Sequence, residues 1–203
     1  MMKIKMWLAS VMLGCSSMLT NAAVDIDKQA PDFSLTNTQG EQVSLADFKG
    51  KTVILEWTNH LCPYVQKHYN SENMQDLQKS YTDEDVVWLT IISSAPGKQG
   101  HVSAAEAVKL TEDRNASPSH VLFDESGEVG KMYAAKTTPH MYIIDDSGML
   151  RYAGAIDSIK SANPADIAKA DNYVKMGMTS LASGEELQYK KTAPYGCSIK
   201  YKS

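Results

Sequence analysis

The segment ILEWTNHLCPYV, Ile54 to Val65, constrains the fold of this chain more than any other stretch. Residues 52–58, TVILEWT, form a continuous apolar run rich in β-branched residues, the pattern of a strand buried on both faces. PYVQKHY then opens a helix with Pro63 at its first position, where a missing N–H costs nothing. Cys62 stands at the junction. A sulfur at a helix N-terminus meets unpaired N–H groups and the positive end of the helix dipole, and both favour its thiolate, the nucleophilic form. The competing reading is an inert cysteine packed as a small hydrophobe; its place between a strand and a proline favours the reactive one.

The other elements support an α/β chain with a mixed central β-sheet flanked by helices. APDFSLTNTQGEQVSLADF reads as an N-terminal β-hairpin, and VVWLTII, residues 86–92, as a second buried strand. That strand empties into the Gly- and Ser-rich loop SSAPGKQGHVS, read as a lip of the substrate groove with Ser93 and Ser94 nearest. AAEAVKLTEDR is a helix, HVLF a strand and GEVGKMYAA a short helix. TTPHMYIIDDSGMLRYAGAI gives two strands around the turn DDSG, and PADIAKADNYVKMGMTSLASGEEL a final helix. The apolar spacing slips at Asn70–Asn73, which predicts a kink or restart before MQDLQKSY. A right-handed crossover makes the strands at 52–58 and 86–92 parallel. Cys62 and the 93–102 loop then share the sheet edge where open α/β folds bind ligands.

With 203 residues the chain has room for one domain plus appendages, and its net charge of −4 offers no basic footprint for nucleic acid. MMKIK, the apolar MWLASVMLG and the small residues of LTNAAV read as a cleavable secretory signal over residues 1–23. The mature domain then covers 24–186, and 187–203 is a polar tail carrying Cys197. This predicts export, to a bacterial periplasm; the alternative takes MLGC, ending at Cys15, as a lipoprotein anchor. Either way Cys62 and Cys197 remain, and an oxidising compartment allows them one disulfide.

VILEWTNHLCPYV resembles the active-site segment of thioredoxin-fold proteins, and TTPHMYIID resembles their cis-proline segment. Together with APDFSL, the DESG turn and GMLRYAG, the match is to the redoxin family of alkyl hydroperoxide reductase/thiol-specific antioxidant (AhpC/TSA)-like proteins, from about Ala30 to Ile156. The resemblance implies a thioredoxin-like fold and an oxidoreductase acting on sulfur groups. It makes Cys62 the attacking cysteine and Glu56, six residues earlier, the buried proton acceptor. Glu56 has a structural alternative, a buried carboxylate satisfied by its neighbours. The resemblance also implies a cis bond before Pro139 and a Thr138 backbone free to pair with an extended substrate. Val65 stands where thioredoxins carry their second cysteine, so a C-x-x-C mechanism is impossible. Peroxiredoxins place Thr or Ser three residues before the cysteine and use an arginine. Here Asn59 and Pro139 occupy those places, and Arg151 is the available substitute.

Cys197, in PYGCSIKY, is then the candidate for resolving a Cys62 intermediate; its alternatives are a static disulfide and a tail thiol awaiting another protein. His60 is positioned to donate to a Cys62 thiolate if it is protonated, and with Asn59, Thr138 and Pro139 it forms the expected substrate-binding set. His140, beside Pro139, reads as a site contact or a satisfied strand end. No cofactor or metal is expected, because Val65 and Gln66 cannot complete a His60–Cys62 ligand set. Expected partners are protein or small-molecule thiols and disulfides, peroxide, and a separate reductase. The rival from another class is a thioredoxin-fold binding or chaperone module stapled by Cys62–Cys197.

Overall fold

The computed structural model describes residues 24–202. Residues 1–23, read as a secretory signal, and with them Cys15, lie outside the described residues. Strands β1 (Ser34–Asn37) and β2 (Gln42–Ser44) form the N-terminal hairpin, and a 3-10 turn over Leu45–Phe48 leads to β3 (Val53–Trp57). Helices α1 (Pro63–Tyr69) and α2 (Asn73–Asp83) follow, then β4 (Val87–Ile92), α3 (Ala104–Asp113), β5 (His120–Phe123) and α4 (Glu128–Met132). The chain continues through β6 (Thr137–Thr138), β7 (His140–Ile144), β8 (Leu150–Gly154), α5 (Tyr173–Ala182) and β9 (Cys197–Ser198). Seven strands make one mixed sheet in the order β2-β1-β5-β4-β3-β7-β8, with β6 and β9 paired beside it.

The position of β3 explains its composition. It runs parallel to β4 on one side and antiparallel to β7 on the other, so both faces are covered and every residue is buried. Val53, Leu55 and Trp57 enter one core with Leu89, Ile91, Leu122, Tyr133 and Tyr142. Ile54 enters the other, with Val65, Met74, Leu77, Trp88, Ile143 and Val174. Burying each such aliphatic side chain contributes about 1.5–3 kcal/mol. A strand in this position has no use for polar groups, and Glu56, on the Ile54 face, is the exception.

The predicted break at Asn70–Asn73 is present: α1 ends at Tyr69, and α2 restarts after Glu72, whose φ of 64° is left-handed. The final helix differs from expectation. It is split into a 3-10 segment over Pro164–Lys169 and α5, because Asn172 stays extended and its side chain caps α5 by accepting from the Lys175 N–H. The larger departure is the tail. Residues read as a polar appendage fold back across the mouth of the sheet and add a strand to β6.

Candidate active site

Cys62 is the N-cap of α1, fully buried, at the end of the loop that follows β3. That loop is held by its own polar groups. The Asn59 side chain accepts from the Leu61 N–H at 2.9 Å and donates to the Gln99 carbonyl at 3.3 Å. The Cys62 N–H donates to the Asn59 carbonyl at 3.0 Å. Gly100, at φ 89°, lies so close to the Asn59 side chain that a Cβ there would overlap it.

Two segments cover the sulfur. The Thr138–Pro139 bond is cis, and the Cys62 thiol donates to the Thr138 carbonyl at 3.1 Å. From the other side the Cys197 N–H donates to Cys62 Sγ at 3.4 Å. Strand β9 lies antiparallel to β6 with Thr138 opposite Cys197, so the Thr138 backbone is not free: the tail occupies the edge expected for a substrate. Gly196, at φ 138°, permits this approach, since a side chain there would run into the Thr138 carbonyl. Both cysteines are free thiols.

Burial by itself would push the Cys62 thiol up. Hydrogen bonds with the Cys197 thiol, the Thr138 hydroxyl and the Val65 and Cys197 amides outweigh it and hold its pKa below the usual thiol value. The cost appears on the partner: burial and the adjoining Cys62 sulfur raise Cys197 to about 11. The two sulfurs are thus unequal: the surroundings favour ionisation at Cys62 and oppose it at Cys197. His60 does not assist as expected. It has no hydrogen bond to the sulfur, and burial, then the charge of Arg114, draws its pKa below the ordinary imidazole value. Arg114, passed over in the sequence, donates to the His60 carbonyl at 3.2 Å and lies over the Tyr69 ring at 4.8 Å.

Glu56 is buried among four neutral donors. Tyr69 Oη is 3.0 Å from Oε1, while Trp88 Nε1, Thr90 Oγ1 and Gln78 Nε2 reach Oε2 at 3.0, 3.1 and 3.2 Å. Burial raises its pKa and the donors only partly offset that. None of these bonds reaches Cys62, so the structure supplies the satisfied-carboxylate arrangement and leaves any proton transfer to the sulfur indirect. Tyr69 and Thr90 also line a cavity of about 40 Å³ with Thr58, Asn59, His60 and Arg114, where the buried Thr58 hydroxyl has no partner.

Several other expectations change. Ser93 is not a groove lip: it is buried, accepts from Trp57 Nε1 at 2.9 Å and donates to Asp124 at 2.6 Å, because the loop after β4 lies beneath the tail. Arg151 does not serve Cys62; it is tied to Asp145 at 2.6 Å and Asp27 at 2.8 Å. His140 is a satisfied strand end, within hydrogen-bond distance of the Lys136 N–H and Tyr142 Oη, and burial lowers its pKa to about 3. Among the described residues no group of three or more His, Cys, Asp or Glu converges as a metal site would require.

A buried mixed sheet, a cysteine capping the helix after its central strand and a cis-proline against the sulfur define the thioredoxin-fold class of sulfur-acting oxidoreductases. The chain belongs to the AhpC/TSA family, whose pattern it matches over residues 26–153. It is 30% identical over 160 residues to the thioredoxin-like protein YneN of Bacillus subtilis, covering 73% of this chain and 88% of that one. It is 27% identical to the thiol-disulfide oxidoreductase ResA of Bacillus cereus, over 62% of this chain and 66% of that one. Against the peroxiredoxin Bcp of Escherichia coli it is 28% identical, over 68% and 88%. An uncharacterised conserved protein of Geobacillus kaustophilus superposes with a TM-score of 0.77 at 28% identity, over 88% of this chain and 93% of that one. The exposed lipoprotein thioredoxin Etrx1 of Streptococcus pneumoniae gives 0.50 at 26% identity, over 65% and 93%.

Proposed function

We propose that this chain is an exported thiol-disulfide oxidoreductase whose redox pair is split between the start of α1 and the C-terminal tail, with Cys62 the nucleophile and Cys197 the resolving thiol. The observation that carries the reading is the pairing of Thr138 with Cys197, which brings the Cys197 N–H to 3.4 Å from the Cys62 sulfur. Cys62 thiolate attacks one sulfur of an external disulfide, forms a mixed disulfide and expels the other sulfur as a thiolate. Cys197, giving up its proton, attacks Cys62 Sγ, expels the second external thiolate and closes Cys62–Cys197. Two electrons pass from the protein to the substrate, and a separate reductase returns them. Glu56 takes up and returns protons through its hydroxyl partners. Thr138, Pro139 and Asn59 shape the site around the sulfur; in place of the donor role expected of it, His60 lines the adjoining cavity, and its carbonyl accepts from Arg114 and Gln66. Export rests on the N-terminal signal reading, and delivery to an oxidising compartment suits a reversible pair.

A peroxidase is the second reading, supported by the relationship to Bcp and by a resolving thiol placed to condense with a sulfenic acid, releasing water. Against it, Asn59 is engaged within its own loop and Arg151 is committed elsewhere.

An aromatic disulfide that releases a coloured thiolate tests the proposal. The reduced wild-type protein is expected to release two thiolates per chain, Cys197→Ser one, with a stalled mixed disulfide, and Cys62→Ser none on the same timescale. Release of a single equivalent by the wild type sinks the split pair.

A further inference from the structure

Cys62 has no surface of its own while the tail lies over it, so what holds the tail decides both how fast the pair closes and what can reach the nucleophile. Two residues before Cys197, Tyr195 is buried against a group that the redox chemistry does not use. Its hydroxyl donates to Asp157, the residue three beyond β8. Lys67 Nζ lies 2.9 Å from Asp157, 3.2 Å from the Ile159 carbonyl and 3.3 Å from Tyr195 Oη, with both charged side chains almost wholly buried. The Lys67 ammonium also sits 5.5 Å from the Tyr195 ring centroid, and the Tyr64 ring meets that ring edge-on at 5.7 Å. Lys67 and Tyr64 belong to α1, the helix that Cys62 caps. The tail is therefore fastened to the nucleophile's own helix.

On the far side of Cys197 the tail is held more simply. The Ile199 N–H donates to the Lys136 carbonyl at 3.1 Å, and Tyr201 Oη donates to the Ala135 carbonyl at 2.8 Å. Those are neutral bonds, whereas the Tyr195 bond runs to a buried carboxylate, and bonds to charged groups are about twice as strong.

We propose that Tyr195 is a positioning residue: latched to the Lys67–Asp157 pair, it holds Cys197 over Cys62 for internal disulfide closure and, by the same bond, keeps bulky partners away until the tail lifts. This rests on the split-pair reading. It implies that resolution needs no rearrangement of the tail, while admission of a protein disulfide does.

Tyr195→Phe removes one oxygen and leaves Asp157 with Lys67 and the Ile159 N–H, which donates to it at 3.1 Å. Two rates are read. In the Cys197→Ser background, alkylation of Cys62 by a bulky maleimide is expected to accelerate about tenfold or more on adding Tyr195→Phe, as loss of a bond to a charged group implies. With Cys197 present, closure of Cys62–Cys197 from the Cys62 mixed disulfide, read as release of the second thiolate, is expected to slow by a similar factor. A merely structural tyrosine does not move access and closure in opposite directions at an unchanged denaturation midpoint. Should the phenylalanine variant misfold, Lys67→Met with Asp157→Leu removes the acceptor without stranding a buried charge, and the same pair of shifts is expected. If wild type closes its disulfide and both rates are unchanged in the variants, the latch is wrong. If wild type never closes it, the split pair itself has failed.

Discussion

Two buried carboxylates flank α1, and they are built in opposite ways. Glu56 on β3 meets only neutral donors, from Tyr69, Gln78, Trp88 and Thr90. Asp157 beyond β8 meets a lysine ammonium, a backbone N–H and a tyrosine hydroxyl. The helix contributes to both cages, Tyr69 to one and Lys67 to the other. Neutral donors satisfy a carboxylate without paying the full cost of its charge, so Glu56 has a raised pKa and can exchange a proton. Asp157 instead forms a buried ion pair with Lys67 at 2.9 Å, a contact that holds position and suits an anchor. The same side-chain chemistry therefore serves two purposes, and its donors decide which.

The strongest way to break the comparison is to neutralise each carboxylate in turn. Asp157→Asn leaves the buried Lys67 ammonium without its counter-charge and is expected to cost about 3–5 kcal/mol in urea denaturation. Glu56→Gln keeps a neutral, hydrogen-bonded group in the same space and is expected to change stability by less than about 1 kcal/mol at neutral pH. The sign follows from the raised pKa. Wild type loses stability as the pH rises from the unfolded-state value of 4.5 toward the raised folded-state value, so the Gln variant gains relative to wild type as the pH rises and loses that advantage as it falls. Equal losses for the two substitutions would erase the distinction drawn between them.

The functional contrast comes next in size. Glu56→Gln is expected to slow disulfide exchange about 10²-fold through the lost proton acceptor, measured as the release of the second thiolate, the step in which Cys197 gives up its proton. A rate unchanged from wild type makes Glu56 purely structural.

The stability of the fold should also fall in acid, through its neutral buried histidines. Burial, which outweighs the attraction of Asp157, lowers His68 to about 4, and burial lowers His140 to about 3. Unfolded chains bind protons near the ordinary pKa of 6.5, so the stabilisation is full above that value and is lost as the pH falls toward 4. At pH 4.5 each histidine is expected to have cost about 2 kcal/mol, to be read from denaturation midpoints across pH 7.5 to 4.5. A flat profile would mean that neither site excludes the charged ring. The smallest effect is spectroscopic. Cys197→Ala removes a donor to Cys62 and should move the thiolate absorbance titration of Cys62 to higher pH.

The comparison also marks what the sequence made legible. A Glu inside VILEW is conspicuous, because a strand with two apolar neighbours has no ordinary place for it, and the Cys62–Pro63 junction and Thr138–Pro139 follow from local pattern. The hairpin, the parallel β3–β4 pair and the helix break at Asn70–Asn73 are equally local. Asp157 and Lys67 were illegible for the converse reason: a lysine in PYVQKHY is by default solvated, and only tertiary packing buries it. Strand β9 has two residues in a polar tail, too few to show any period, and its partner Thr138 lies 59 positions away. Ser93 was misread because a serine in a Gly-rich loop looks exposed until the tail that covers the loop is in place. The split of the final helix could have been read from Asn172, which is a good N-cap residue in the middle of the apparent helix.

The measurement that tests the central claim most directly is a redox titration of the mature protein, with peptide mass mapping of each state. A single reversible two-electron transition, with a Cys62–Cys197 cross-linked peptide on the oxidised side and two free thiols on the reduced side, is the result expected here. Cysteines that never appear in one cross-linked peptide, or a bond that no thiol reductant reopens, would contradict it.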